Sequence, residues 1–380
     1  MFAATFVNKF ILYNFFRLPL FFYLRYAKRI GGRKLQMFYI YAQELSMVHC
    51  KTSLLFLVAL LTCSVINAQR TQIRGFVDAL TTYDKNKLSF GFGEQDLFIT
   101  SELNDRLSFL GESVFKWTPT TPTEFSVSIE RVIIKYNYAG NHNVLIGKHH
   151  TPLNYWNDTY HHGRVFFPTI ERPLLFEAEI IPLHTVGISL QGHDLGNWKF
   201  GYDVMLGNGL GSDEVVDNDK NKSITLAAHI KPVDYLRIGA SYYHDVISKG
   251  ADTHLGVVNW QVNQNLYTGS VAYFGKKYEL LAESTIGTDR TDTTGSRQTI
   301  ASYIYTGYKI KDKWVPYIRV DNLHYQTGEI YFHKDNTTAF VVGMRYQINY
   351  LAVIKLEYQH TKSEIEGLDD KVTAQFAIGF

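Results

Sequence analysis

The sequence predicts an all-β fold, a transmembrane antiparallel up-and-down β-barrel of about sixteen strands, and three observations lead there. Segments alternate apolar and polar side chains, short turns alternate with long polar loops, and Lys371–Phe380 puts an apolar side chain at every second position up to an aromatic end. Composition agrees. Aromatics are 15% of the 380 residues, with 26 Tyr and 25 Phe against 9 Pro, which favours strands because aromatic and β-branched side chains fit a pleated surface.

Residues 1–46 form the first element, rich in Phe, Tyr and Arg. They precede a segment with the order of a signal peptide, and such a peptide belongs near the start of a chain, so we read them as an over-long gene-model extension. The rival is a basic segment, FFRLPLFFYLRYAKR, lying on a membrane surface. Residues 47–68 follow, with a basic start at Lys51, an apolar run from Leu54 to Leu61 and the small Ala68 before Gln69. That run is too short to span a bilayer as a helix, and cleavage after Ala68 is expected. Leu60-Leu61-Thr62-Cys63 approaches a lipoprotein box, but Thr62 is bulkier than the small residue such boxes use.

The barrel is expected over 69–380. Both cysteines, Cys50 and Cys63, precede it, so disulfide and thiol chemistry are excluded there. Residues 1–68 also hold eight of the 38 Lys and Arg and one of the 36 acids, which leaves the rest near a net charge of −5. A nucleic-acid partner has no electrostatic motive.

Alternation is clearest where Trp198, Phe200, Tyr202, Val204 and Leu206 face Lys199, Gly201 and Asp203, and where Phe340, Val342, Met344, Tyr346 and Ile348 face Arg345 and Gln347. One face is for lipid and one for water; a helix would need three-to-four spacing. Tight turns are read at 104–106, 139–141, 193–197, 231–234, 275–277, 311–313 and 347–350, and longer loops around 208–222, 246–264, 287–297, 326–336 and 362–370. Within 124–138 the alternation slips after Ile129, and a β-bulge at Glu130-Arg131 would restore it and aim both charges inward.

The final strand, with Phe376, Ile378 and Phe380, resembles the insertion signal read by the outer-membrane assembly machinery. Together with the signal-peptide pattern it predicts a bacterial outer-membrane location, with membrane lipid and that machinery as partners.

The longest interruption, from about His150 to Leu183, is the third external loop. In position and length it resembles the loop of general bacterial porins that folds into the barrel and narrows the channel, and the block KHHTPLNYWND…HHGRVFFP looks like porin-like proteins of Gram-negative bacteria. The resemblance implies a porin, passing small hydrophilic solutes or ions by passive diffusion, with a homotrimer as the assembly. Asp158, Arg164, Glu171, Arg172 and Glu177 are the candidate constriction residues, since channels select by charged rings at their narrowest point; simple salt bridging to the wall is the alternative. Strand phase puts Asp96, Glu112, Arg131, Arg237, Arg319, Arg345 and Lys355 on the lumenal wall, with Glu102, Asp321 and Glu357. An acidic early half would then face a basic late half across the pore.

His149, His150, His161 and His162 suggest Zn²⁺ with Asp158, but adjacent residues on an extended chain point apart, and no metal or other cofactor is expected. No Gly-rich phosphate loop, G-x-S-x-G elbow or H-E-x-x-H helix appears, so an enzyme is not expected. A non-conducting structural or adhesive barrel is the runner-up, and a lipid-acting barrel enzyme the third reading.

Overall fold

The computed structural model describes residues 70–117, 125–160, 163–209, 217–253, 256–332 and 335–380. Residues 1–68, read above as an extension and a signal peptide and holding both cysteines, lie outside the described residues, as do His161 and His162. The strands are β1 (Arg70–Asp84), β2 (Lys87–Glu102), β3 (Leu107–Trp117), β4 (Phe125–Ala139), β5 (His142–His150), β6 (His184–Leu195), β7 (Phe200–Gly207), β8 (Ser223–Ile230) and β9 (Leu236–Ile247). They continue as β10 (Asp252–Thr253), β11 (Gly256–Val257), β12 (Val262–Phe274), β13 (Tyr278–Thr291), β14 (Gly295–Tyr308), β15 (Trp314–Tyr325), β16 (Thr337–Asn349), β17 (Ala352–Ser363) and β18 (Gly367–Gly379). Two short helices, α1 (Tyr155–Tyr160) and α2 (Leu174–Glu177), lie between β5 and β6.

Sixteen of these strands form one closed antiparallel barrel in chain order, and β10 with β11 makes a separate small hairpin between β9 and β12. The barrel closes where β18 pairs with β1, Phe376 opposite Ala79 and Ile378 opposite Val77. The Phe380 N–H donates to the Gly75 carbonyl at 2.9 Å and the Gly75 N–H donates back at 3.0 Å, so no edge is left for another chain to pair with.

Alternation decides which face meets lipid. Val204, Leu206, Ile224, Leu226, Ile304, Ile318, Phe340, Val342, Ile354 and Leu356 are all exposed on the outside, while their neighbours Met205, Thr225, Tyr303, Tyr305, Arg319, Val341 and Lys355 are buried inside. At the end where the tight turns lie, outward aromatics pair across strands, Trp314 on Tyr346 with ring centroids 4.3 Å apart and Tyr278 on Tyr308 at 5.3 Å. Amphipathic rings at the border of an apolar band suit a membrane–water interface.

The turns fall where the spacing predicts them. Between β2 and β3 the Asn104 side-chain oxygen accepts the N–H groups of Arg106 and Leu107, each at 2.9 Å, the local bonding that makes Asn a turn residue. The bulge in β4 is also present: Glu112 opposes Arg131 while Ser113 opposes Ile129, which leaves Glu130 as the extra residue. Gly147 in β5 has φ +131°, and a Cβ there would run into the Val132 carbonyl.

Two of the expected long loops are shorter than the sequence suggests. β13 and β14 stay paired up to Thr291 opposite Gly295, and β17 and β18 up to Ser363 opposite Gly367. At these tips polar side chains interrupt the apolar alternation, so backbone pairing continues where the pattern that marks a strand has stopped.

Candidate functional site: the loop inside the barrel

The chain between β5 and β6 enters the barrel through a tied neck. Thr151 and Thr185 share a hydroxyl hydrogen bond of 2.6 Å, and the buried Asn157 amide donates to the Thr151 and Leu183 carbonyls at 2.9 and 3.0 Å. Inside, the loop builds its own apolar core against the wall of β12–β16. Leu153, Trp156, Phe167, Leu175, Phe176 and Ile180 pack with Leu266, Leu281, Tyr303, Tyr305 and Tyr317. The Trp156 ring lies 5.3 Å from Phe167, 6.1 Å from Phe176 and 6.2 Å from Tyr303. Each such fully buried large side chain contributes about 1.5–3 kcal/mol, so the loop is seated by burial as well as by charge.

Seven charges on the surrounding wall address the loop's backbone. Four carboxylates accept loop N–H groups: Glu283 from Tyr155 and Trp156, Asp96 from Gly163 at 3.1 Å, Glu357 from Ile170 at 2.5 Å and Asp321 from Leu174 at 3.2 Å. Three cations donate to loop carbonyls. Arg319 reaches Glu171 at 2.7 Å and Arg172 at 3.3 Å, Arg345 reaches Pro168 at 3.1 Å, and Lys355 reaches Arg164 at 2.7 Å and Thr169 at 2.9 Å. An irregular segment in a water-poor interior has no helix or sheet ladder for these groups, and leaving them unpaired is costly.

This arrangement revises the wall read from strand phase. Asp96, Arg319, Arg345 and Lys355 face inward as expected, but Arg319 and Lys355 are buried beneath the loop at 1% and 0% exposure and line no open water. The expected basic late half is neutralised in place, because Arg319 pairs with Asp321 at 2.8 Å and Arg345 with Glu279 at 2.8 Å. Glu112 is likewise bound by Arg131, and Glu102 is exposed at the turn end of β2.

The loop's own charges divide in the same way. Arg164 reaches Glu94 at 3.7 Å, Glu171 at 3.6 Å and Asp78 at 4.0 Å, pinning the loop to β1 and β2. Asp158, on α1, pairs with Arg237 of β9 at 2.7 Å, and that guanidinium lies over the Tyr155 ring at 5.2 Å. Arg172 and Glu171 are half-buried and Glu177 is exposed. Asp158, Glu171, Arg172, Glu177, Arg131 and Arg237 therefore keep contact with solvent. Phe376 and Phe380 are exposed on the outer side of the closing strand, with Ile378 half-buried between them.

Of the four candidate histidines, the two within the described residues, His149 and His150, take different surroundings. His149 is buried, whereas His150 on the next residue stacks near His184, 5.4 Å between centroids, and His184 sits 3.2 Å from Glu130. Among the described residues no group of three or more His, Cys, Asp or Glu is placed to hold a metal ion.

Asp78 and Glu94, which hold the Arg164 side chain, Glu283, which accepts two loop N–H groups, and Glu279, which holds Arg345, were not singled out from the sequence. Strand phase marks each as inward-facing, but which inward carboxylate meets a loop N–H depends on the path of the loop.

The fold is that of an outer-membrane porin-type barrel, as comparison with solved structures bears out. The anion-selective porin from Comamonas acidovorans aligns with a TM-score of 0.61 at 10% identity, covering 82% of this chain and 100% of that one. OmpT, an outer membrane protein of Vibrio cholerae in its trimer form, aligns at 0.59 and 12% over 83% and 100%. The outer membrane channel DcaP of Acinetobacter baumannii aligns at 0.58 and 12% over 82% and 97%. No protein-family model and no curated protein matches the chain.

Proposed function

We propose that this protein is an outer-membrane porin, a passive channel for small hydrophilic solutes or ions in which the segment between β5 and β6 sets the constriction. The observation that carries this reading is that the segment crosses the barrel interior and is fixed there by wall groups from β2, β13, β15, β16 and β17. The charges left in contact with water then border whatever passage remains. Asp158, Glu171, Arg172 and Glu177 act from the loop, Arg131 and Arg237 from the wall. They carry both signs, which suits a polar filter without strong exclusion of either ion. Diffusion through such a filter requires no catalytic step and no cofactor. The final strand, with Phe376, Ile378 and Phe380, serves as the assembly signal, and a homotrimer is the assembly we expect.

Planar-bilayer conductance of the folded protein tests this. Discrete open steps are expected, with a reversal potential that moves when Arg172 is changed to Glu. A folded barrel that never conducts would sink the channel reading and favour a closed structural barrel, for which the tightly packed loop core around Trp156 and Phe167 is the supporting observation.

A further inference from the structure

Beside α1, against β7, β8 and β9, lies a small polar cavity of about 20 Å³. Tyr155 and Asp158 border it from the loop, and Asp203, His229, Arg237 and Ser241 from β7, β8 and β9. Two carboxylates face one guanidinium here. Arg237 gives its ion pair to Asp158 at 2.7 Å and a further N–H to the His229 Nδ1 at 3.2 Å. No Lys or Arg lies within ion-pair distance of Asp203 among the described residues; the Gln191 side chain hydrogen-bonds to it and the Ser189 hydroxyl donates to it at 3.4 Å. With one guanidinium for two carboxylates the cavity keeps an excess of negative charge, and an incoming positive group relieves it.

We infer that this cavity is a solute subsite that takes the primary ammonium group of a small amine or amino acid, held by Asp203 with Asp158 and the Ser241 hydroxyl alongside. Donor chemistry supports the assignment. A primary ammonium brings three N–H donors for the Asp203 and Asp158 carboxylates, and a quaternary ammonium brings none. Its place supports it too, since Asp158 and Tyr155 belong to the inward-folded segment between β5 and β6, so an amine seated there meets the loop charges. The subsite rests on the channel reading for its role in transport but not for its existence.

The test measures K⁺ current through the barrel while ethylammonium or tetramethylammonium is added at constant ionic strength, with a parallel calorimetric titration of both cations into detergent-folded protein. Ethylammonium is expected to bind and to slow the current, and tetramethylammonium to do neither. Asp203→Asn should weaken ethylammonium about tenfold, the loss of a charged hydrogen bond. Ala227→Leu, which fills the cavity without touching a charge, should weaken it as well. Equal responses to the two cations, or ethylammonium binding unchanged in both variants, would overturn the subsite. Binding without conductance would support the subsite while refuting the channel reading, and conductance without binding would do the reverse.

Discussion

Replacing Arg319 with Met should release the loop from the wall while leaving the barrel closed. The guanidinium is 1% exposed and donates to Asp321 at 2.8 Å, to the Thr169 hydroxyl at 2.8 Å, and to the Glu171 and Arg172 carbonyls at 2.7 and 3.3 Å. Methionine fills similar space but returns none of those bonds, and it leaves the Asp321 carboxylate, 0% exposed, without its cation. Removing one partner of a buried ion pair costs about 3–5 kcal/mol. The strand pairing on either side of Arg319, opposite Tyr305 and Val341, is backbone bonding that the substitution does not touch. The loss should therefore fall on the loop and raise its detached population by about two to four orders of magnitude. Limited proteolysis of the folded barrel should then cut between residues 160 and 180, and the fluorescence of Trp156 should shift to the red. Arg319→Lys keeps the charge but not the planar fork, and should fall between. An Arg319→Met barrel whose loop is cut no faster than wild type would refute the idea that wall charges hold the loop through its backbone.

Three further expectations follow from the same packing. Trp156→Ala empties the centre of the loop core and should destabilise the loop by about 3–5 kcal/mol, seen as protease sensitivity at the same sites while the barrel resists heat in detergent. Ile304→Arg puts a charge on the exposed outer face of β14 and should cost the folded barrel about 2–4 kcal/mol if that face lies at mid-membrane; reversible urea unfolding in lipid vesicles measures it, and a loss below about 0.5 kcal/mol would contradict the assigned lipid face. Gly147→Ala forces a side chain onto a φ of +131° against the Val132 carbonyl, so a lower folded yield is expected, and a normal yield would show that β5 can rearrange there.

The sequence alone was enough for the barrel. In a strand the side-chain period is two, so lipid and lumen faces are written directly into the order of residues such as Phe340, Val342 and Leu356. Even the bulge at Glu130 shows, because one extra residue shifts every later side chain to the other face. Turns were legible at Asn104 and Gly140 through local backbone chemistry. The tips at 291–295 and 363–367 were less so, since pairing continues there without apolar alternation.

The loop's conformation was decided only in three dimensions. Phase puts Arg319, Lys355, Asp321 and Glu357 inside, but it cannot say that they close over the backbone of Ile170, Glu171 and Leu174, about 150 or more residues away in the chain. Nor can it separate a charge spent on the loop, such as Lys355, from one that still meets water, such as Arg237. That distinction depends on the path of a segment with no period of its own. Alternation is a local property and fixes the face; which charge is buried depends on what the rest of the chain lays over it.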